Sequence, residues 1–309
     1  MARQRRTRLR ERPGAAGFLV VDKPAGYTSH DVVDEARRRF GTRRVGHLGT
    51  LDPQATGVLP LAVRAATKLV PFLPSMQKAY VGTVRFGIET DTLDAQGKVV
   101  RTHTGSLPDA ASIEAALATF VGEIEQIPPM YSAVKQGGVP LHRLARRGEE
   151  VERAPKRVTI ERLELLRFDA PDADISVVCG PGTYVRTLAA DLGARLGCGA
   201  LLQSLRRLQS GPFQITQAFT LEQLDEEAQA KKLDALLIPP GKALQIDEIT
   251  LREEAVRRLC NGGDVSPGSE FRRIPGTRAI AKDETGVPLA LVELRADRRL
   301  WPLRVLRNG

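Results

Sequence analysis

Residues 46–60 read Gly46-His47-Leu48-Gly49-Thr50-Leu51-Asp52-Pro53-Gln54-Ala55-Thr56-Gly57-Val58-Leu59-Pro60. Residues 42–57 contain three glycines and no apolar repeat of helical period, which predicts an ordered loop. Asp52 stands before Pro53, and a following proline disfavours helical backbone at the aspartate. On these residues alone Asp52 has two interpretations. It is either a turn residue that makes an Asx hydrogen bond, the commoner role, or a catalytic carboxylate.

The common cofactor and hydrolase motifs are missing from the sequence. It contains no G-x-x-x-x-G-K-[ST] phosphate loop, no H-E-x-x-H zinc motif and no G-x-S-x-G nucleophile elbow. Gly180-Pro181-Gly182 resembles half of a dinucleotide-binding fingerprint, but Val185 stands where the third glycine belongs. These motifs therefore give no indication of a cofactor or a metal.

The charge of the chain favours a polyanionic partner. The 309 residues carry a net charge of +9, and nucleic acid is the commonest partner of so basic a protein. Residues 1–12 hold six arginines and one glutamate, so five of those positive charges lie in this segment. The segment fits either a disordered, solubilising tail or an arm that binds RNA. Charge alone does not separate RNA from DNA or from an acidic membrane.

Length and cysteine content limit the compartment and the number of domains. No apolar run approaches the length of a membrane span, and the basic N-terminus leads into no apolar segment of a signal peptide. The three cysteines are odd in number and form no C-x-x-C pair, which argues against a disulfide framework and a zinc site. We expect two domains and a cytoplasmic location.

Hydrophobic periodicity predicts alternating strands and helices in the first two thirds of the chain. A buried strand is predicted at 18–21, and a helix at about 30–40 with Gly41 at its end. Further predictions are a strand from Tyr80 to Ile88 in which Tyr80, Val84, Phe86 and Ile88 share a face, a helix at 109–121 stopped by Gly122, a strand at 175–179, and a helix at 183–196 with Leu188, Leu192 and Leu196 inward.

Two later regions have different patterns. Residues 128–157 combine Pro128-Pro129, Gly137-Gly138 and, in their second half, six basic residues, which is typical of a functional loop or a disordered insertion. Pro239-Pro240-Gly241-Lys242 predicts a linker. Beyond it we expect a helix capped by Thr250-x-x-Glu253, and strands at 278–281, 288–294 and 300–306 that form a small β-rich module.

Six segments in order resemble the TruB family of tRNA pseudouridine synthases, over about residues 16–215. The segment 46–60 resembles the catalytic signature of that family. The other five are Lys23-Pro24-Ala25-Gly26-Tyr27-Thr28-Ser29, Lys78-Ala79-Tyr80, Pro128-Pro129-Met130-Tyr131-Ser132-Ala133-Val134-Lys135, Gly182-Thr183-Tyr184-Val185-Arg186-Thr187 and Leu205-Arg206-Arg207-Leu208.

The resemblance implies a role for each of six residues. Asp52 is the nucleophile toward ribose C1′. Arg186 pairs with Asp52 and keeps it ionised. Tyr80 lies against the uracil and serves as the proton-shuttling base. His47 fills the place of the extruded base, and Tyr184 and Leu205 line the uracil pocket. Each of the last four also fits a purely structural role: backbone hydrogen bonding for His47, and core packing for Tyr80, Tyr184 and Leu205.

The implied architecture is a mixed α/β catalytic domain (α+β class) around a mostly antiparallel sheet, followed by a small PUA-like β-barrel. The expected boundaries are a basic tail at 1–12, a catalytic domain at 13–245 and an RNA-binding module at 248–309. Within the catalytic domain, the basic segment 128–157 matches the insertion that closes over the T loop. The implied partner is the T arm of tRNA, with the enzyme a monomer that binds no metal and no membrane.

Three functions are compatible with these sequence features. The first is an isomerase that converts the T-loop uridine, position 55 in tRNA numbering, to pseudouridine. The second is a non-catalytic RNA-binding or RNA-folding factor on the same scaffold, which has no need to keep Asp52, Tyr80 and Arg186 together. The third is a guide-RNA-dependent synthase within a particle, and the basic insertion at 128–157 favours stand-alone tRNA recognition instead.

Overall fold

The computed structural model describes residues 13–75, 77–132, 134–145, 147–149, 151–268 and 271–307. The predicted tail at 1–12 and Arg146 of the basic insertion lie outside these residues. None of the helices formed by the described residues combines the length and apolar composition needed to cross a bilayer.

The elements alternate along the chain. The strands are β1 Gly17–Lys23, β2 Val45–His47, β3 Thr56–Val63, β4 Lys78–Phe86, β5 Ile88–Thr90, β6 Val99–Thr102, β7 Gly122–Gln126, β8 Lys135–Gln136, β9 Val139–Pro140, β10 Lys156–Asp169, β11 Asp172–Cys179, β12 Ala200–Ser210, β13 Phe213–Gln214, β14 Asp247–Thr250, β15 Arg278–Lys282, β16 Pro288–Leu294 and β17 Leu300–Val305. The α-helices are α1 Ser29–Phe40, α2 Ala110–Ala118, α3 Leu141–Ala145, α4 Val185–Arg195, α5 Leu221–Gln229, α6 Pro240–Leu244 and α7 Glu253–Cys260, and 3-10 helices cover Arg64–Phe72, Ile215–Gln217 and Leu233–Leu236.

The chain forms two compact units. The first contains the described residues up to Pro53, Gly57–Pro74, and the described residues from Pro212 onward. The second contains Gln54–Thr56 and the described part of Ser75–Gly211. The first unit is therefore built from both ends of the sequence, and the second comes mainly from its middle.

In the first unit, β1 pairs antiparallel with β3, and β2 also pairs antiparallel with β3. The apolar residues of β1 are buried, as expected of a core strand. Helix α1 begins in a capping box, because the Thr28 hydroxyl accepts from the Asp31 N–H and the Asp31 carboxylate accepts from the Thr28 N–H. It ends at Gly41, whose φ of 60° is a left-handed cap that glycine adopts without strain. The predicted strand and helix are confirmed.

The C-terminal part of the first unit holds a separate small sheet in the order β14-β15-β16-β17. The β14–β15 pair is parallel, whereas the other two pairs are antiparallel. Helix α7 packs on β16 and β17, and a buried apolar cluster that includes Leu259, Val292 and Leu300 fills the space between them. The three strands predicted here are confirmed.

The second unit is organised on an antiparallel sheet in the order β12-β4-β11-β10-β7. Helix α4 packs on β12 and helix α2 packs on β10. Alternate residues of β4 are buried, namely Tyr80, Gly82, Val84 and Phe86. The sheet of the second unit is therefore antiparallel and is covered by helices, which agrees with the mixed α/β domain that the family resemblance implied.

Several predicted boundaries are wrong in the first unit. Residues 42–57 are not a continuous loop, because Val45–His47 pair with Leu61–Val63. Residues 239–242 are not a linker either. Pro240 opens α6, where a proline is well tolerated, and Ala243 and Leu244 are buried. Thr250 lies in β14 rather than at a helix cap, and α7 starts at Glu253 after Arg252, whose side chain makes no cap bond.

Other corrections concern the second unit. Ile88 does not continue β4, since Gly87 has a φ of 86° and Ile88 begins the hairpin β5–β6. Helix α2 has Asp109 as its cap and stops at Ala118, before the predicted end at Gly122. Within α4, Leu188 and Leu192 are buried as predicted, whereas Leu196 is partly exposed. In the basic insertion the described residues include a short hairpin, β8–β9, and α3, whose Leu141 and Leu144 are buried.

Candidate active site

Asp52 lies in the first unit between two anchored neighbours. On one side, the Ser29 hydroxyl accepts from the Leu51 N–H at 2.9 Å and donates to the Leu51 carbonyl at 3.0 Å. On the other side, the Pro53 carbonyl accepts from the Gly26 N–H and from the Lys23 ammonium, each at 2.9 Å. The partly buried carboxylate thus sits on a backbone fixed at the residues immediately before and after it.

Lys23 explains how the turn after β1 reaches the Asp52 loop. Its side chain is fully buried, and its ammonium donates to the carbonyls of Pro24 at 2.8 Å, Tyr27 at 2.6 Å and Pro53 at 2.9 Å. An ammonium has three donors, and three carbonyls satisfy them. A buried charge of this kind is tolerated because its hydrogen bonds are made within the protein. The segment from Lys23 to Ser29 therefore acts as the support of the Asp52 loop.

His47 ends β2 and lies in register with Leu61 of β3. The next residue, Leu48, donates its N–H to the Pro60 carbonyl at 2.9 Å, so strand-like anchoring continues past the histidine. The His47 side chain is partly exposed. This position belongs to a strand end, which holds a side chain more firmly than the loop that the sequence predicted.

Tyr80 and Leu205 are brought together in the second unit by strand pairing. Tyr80 of β4 lies opposite Arg207 of β12, and Leu205 lies opposite Gly82. Because opposed residues of an antiparallel pair point to the same face, Tyr80, Leu205 and Arg207 share one face of the sheet. Tyr80 is 6% exposed, and Leu205 is partly exposed.

Tyr184 and Arg186 are brought together at the start of α4. The buried Gln126 amide accepts from the Tyr184 N–H at 3.0 Å and donates to the Tyr184 carbonyl at 3.2 Å. Arg186 is buried, and its guanidinium donates to the Tyr131 carbonyl at 2.7 Å and lies 3.6 Å from the Asp94 carboxylate. These contacts orient the guanidinium at the first turn of the helix.

The six predicted residues divide between the two units. His47 and Asp52 belong to the first unit, whereas Tyr80, Tyr184, Arg186 and Leu205 belong to the second. The sequence analysis missed the residues that support them, namely Lys23, Ser29, Asp94, Gln126 and Arg207. Lys23, Ser29 and Arg207 do lie in the quoted family segments, so their place in those segments was an available signal. Asp94 and Gln126 lie outside all six segments, and only the folded chain reveals their contacts.

Burial shifts two titratable groups near Tyr80. The pKa of Lys78 is lowered by burial, with a smaller contribution from the charge of Arg207. Burial likewise raises the pKa of the Cys179 thiol, which lies opposite Lys78 on β11. Across the described parts of the chain, histidine, cysteine and carboxylate side chains form no group of three that could hold a metal ion.

Comparison with known proteins identifies the family. Residues 37–185 match the model of the N-terminal domain of TruB family pseudouridylate synthases, and residues 186–245 match that of the tRNA pseudouridylate synthase B C-terminal domain. The chain belongs to the TruB family. It is similar to tRNA pseudouridine synthase B of Syntrophotalea carbinolica, with 41% identity covering 95% of this chain and 98% of the relative. It is 46% identical to tRNA pseudouridine synthase B of Ruegeria pomeroyi, over 87% of this chain and 88% of the relative.

Solved structures share the fold. A chain in a crystal structure of a Cbf5-Nop10-Gar1 complex matches this TruB-family chain with a TM-score of 0.66 and 25% identity, covering 94% of this chain and 85% of that one. A chain of an H/ACA RNP bound to a substrate RNA containing 2′-deoxyuridine matches with a TM-score of 0.65 and 22% identity, with the same coverage. The mixed α/β architecture is therefore that of pseudouridine synthases of the Cbf5 and TruB type.

Proposed function

We propose that this protein isomerises uridine to pseudouridine at position 55, in the T loop of tRNA, with Asp52 as the nucleophile. The observation that carries the proposal is the family membership over nearly the whole chain, with the signature aspartate present and anchored on both sides. The relatives are named tRNA pseudouridine synthase B, and this chain covers almost their full length. Pseudouridine synthases are isomerases, and the proposed reaction consumes no co-substrate.

The reaction balances without a cofactor. The Asp52 carboxylate bonds to ribose C1′ as the C1′–N1 bond breaks, and the uracil then turns within the pocket. C5 bonds to C1′ as the Asp52 ester breaks, N1 takes up a proton, and C5 releases one. We assign the proton transfer at C5 to Tyr80, and the maintenance of an ionised Asp52 to Arg186.

Water must be kept from the reacting C1′, because its attack would leave an abasic site. We assign this exclusion to Tyr184 and Leu205 as apolar walls of the uracil pocket, and we place His47 in the stack from which the uridine is extruded. Support comes from the rigid placement of each residue: His47 at a strand end, Leu205 in β12, and Tyr184 with its backbone held by Gln126.

Recognition is proposed to extend beyond the pocket. The exposed basic residues of the insertion 128–157 suit phosphate contacts around the T loop. They are Arg143, Arg147, Lys156 and Arg157. We propose that residues 13–245 form the catalytic domain and that 248–309 form a PUA-like RNA-binding barrel, which the small sheet β14–β17 with its own apolar core supports. A monomeric state and a cytoplasmic location stay predictions.

The test uses unmodified tRNA transcripts and purified protein without any guide RNA. Pseudouridine is mapped by carbodiimide treatment and primer extension. Modification at position 55 by the wild-type protein, and none by Asp52→Asn, is the expected result. Binding of the variant should stay within about a few-fold of wild type, because phosphate contacts supply most of the affinity. Activity that appeared only with an added guide RNA would favour the particle-bound synthase, and binding without modification would favour the folding factor.

The T-arm proposal has its own test. An isolated T-arm stem-loop should be modified, although it should bind less tightly than full tRNA. A linear strand of the same loop sequence should react much more slowly, because extrusion of one base is read against the folded shape of the loop. Equal rates on both RNAs would show that the loop shape is not recognised, and an inert stem-loop would place recognition outside the T arm.

A further inference from the structure

Arg207 is a fully buried arginine that the proposed mechanism does not use. It lies in β12, directly opposite Tyr80 of β4, and its side chain is 0% exposed. Its guanidinium donates a hydrogen bond to the Tyr80 side chain. Since the phenolic oxygen is the acceptor that a tyrosine side chain offers, the bond fixes that oxygen.

A buried guanidinium is costly to the fold. Burial lowers the pKa of Arg207, and the nearby Tyr80 oxygen opposes that shift. An arginine nevertheless stays charged in proteins, so a cation is buried beside Tyr80. Replacing a whole buried ion pair by apolar residues is often neutral or stabilising, whereas removing one partner of a buried contact is costly. The test of Arg207 therefore measures stability beside the reaction rate.

Strand β12 packs closely on β4 beside Tyr80. Two residues along β4, Gly82 lies opposite Leu205, and a Cβ atom at Gly82 would come within 2.7 Å of the Ser204 carbonyl oxygen and 3.1 Å of the Leu205 side chain. The Leu205 side chain thus packs closely on the bare backbone of Gly82, on the face that carries Tyr80. The hydrogen bond from Arg207 holds the phenolic oxygen of Tyr80 on this same face.

We propose that Arg207 is a positioning residue, which holds the phenolic oxygen of Tyr80 and through it sets the ring that faces the target uracil. The inference rests on the proposed function, which places the uracil against Tyr80. In this role Arg207 acts on the chemical step through the tyrosine oxygen. Its contribution to the chemical step should disappear when that oxygen is removed.

The test is a double-mutant cycle on single-turnover rates with saturating tRNA transcript. The variants are Arg207→Met, Tyr80→Phe and the pair together, with tRNA affinity and thermal unfolding measured for each. Arg207→Met should slow the step by about tenfold or more, the scale of losing a hydrogen bond to a charged group. In the Tyr80→Phe background the same change should alter the rate by no more than about twofold, because residues in direct contact give non-additive effects. Arg207→Lys, which keeps one donor and the charge, should restore part of the lost rate.

Arg85→Met is the matched control. Arg85 is also an arginine of the same sheet, but it is partly exposed and pairs with Asp172 through bonds of 2.8 and 2.7 Å. Its loss should leave the rate unchanged.

Three results would overturn the role of Arg207: an unchanged rate in Arg207→Met, an equal loss in both backgrounds, or a loss confined to tRNA affinity. If Arg207→Met fails to fold, Arg207→Gln, which is shorter and uncharged, replaces it in the cycle and is read by the same criteria. The wild-type rate separates this inference from the proposed function. An inactive wild type overturns both, whereas an active wild type with additive losses overturns only the role of Arg207.

Discussion

The Ser29 hydroxyl bonds both backbone groups of Leu51, the residue before Asp52. It accepts from the N–H at 2.9 Å and donates to the carbonyl at 3.0 Å, and Ser29 is buried. One side chain at the start of α1 thereby fixes the peptide that leads into the nucleophile. This arrangement explains how a glycine-rich segment presents a carboxylate in one orientation.

Ser29→Ala should therefore loosen the Asp52 loop. Two buried backbone groups lose their partner, which should cost about 1–3 kcal/mol of unfolding free energy. We expect a lower single-turnover rate with little change in tRNA affinity, because Ser29 supports the Asp52 loop and is itself buried. Ser106→Ala, at an exposed serine of the second unit, is the control and should change neither quantity. Wild-type turnover in Ser29→Ala would show that the loop does not depend on this serine.

Arg186→Lys should lower activity by at least about tenfold, although it conserves the charge. The guanidinium contacts both the Tyr131 carbonyl and the Asp94 carboxylate, and a single ammonium cannot reproduce that planar geometry. The rate is measured under single-turnover conditions. Arg195→Lys, at the exposed end of the same helix, should retain full activity. An undiminished rate in Arg186→Lys would remove Arg186 from the site.

Asp191 of α4 should destabilise the protein at neutral pH. Burial raises the pKa of its carboxyl, so the ionised form is disfavoured in the folded state. The penalty is present above the folded pKa and vanishes as pH falls below the unfolded value of about 3.9. Asp191→Asn should raise the melting temperature at pH 7, on the order of 1 °C, and the gain should shrink toward zero in acid.

Asp109→Asn provides a control of opposite sign for Asp191. The pKa of Asp109 is lowered by hydrogen bonds from Ser112, so its ionised form stabilises the fold above the unfolded pKa and loses that effect in acid. The variant should therefore be less stable than wild type at pH 7. A gain in Asp191→Asn that persisted below pH 3 would exclude titration of Asp191 as its cause.

The double variant Lys156→Gln, Arg157→Gln should weaken tRNA binding without slowing the chemical step. Both residues are exposed in the basic insertion. Each cation that neutralises a phosphate contributes about one to the slope of log affinity against log salt. The double variant removes two cations, so the slope should fall by about two. Filter binding over a salt series and the rate at saturating RNA are the measurements. Arg85→Gln, which removes a charge already paired with Asp172, should leave the slope unchanged, and an equal effect in both proteins would mean that net charge alone is responsible.

Local pattern was enough to predict elements with strong periodicity. The strand at 18–21, helix α1 and the three C-terminal strands follow directly from alternation, helical spacing and a glycine cap. It failed where distant pairing decides the structure. The strand β2 has only three residues and forms because it pairs with β3. The segment 239–242 has the composition of a linker, and only the burial of Ala243 and Leu244 shows that it belongs to a packed helix.

The candidate site shows the same division. Motif resemblance selects Asp52, Tyr80 and Arg186, because each stands within a short characteristic segment. Their supports come from elsewhere in the chain. The Asp94 carboxylate reaches Arg186 across 92 residues of sequence and Gln126 reaches Tyr184 across 58, and a contact over such a distance leaves no periodic trace. Single-sequence reasoning therefore selects candidate reacting groups more readily than the groups that hold them.

The discontinuous make-up of the first unit sets an order of events during synthesis. Phe18 exchanges backbone hydrogen bonds with Ile238 at 2.9 and 2.7 Å, and Asp22 donates to the Phe219 carbonyl at 2.9 Å. When β1 leaves the ribosome, these partners have not been translated. The middle segment can complete its own antiparallel sheet first, because Ser75–Gly211 emerges as one uninterrupted piece. The N-terminal strand can pair with β3 but still lacks its partners at Phe219 and Ile238. In nascent chains stalled before residue 219, β1 should therefore be cleaved by protease more readily than β4 and β11.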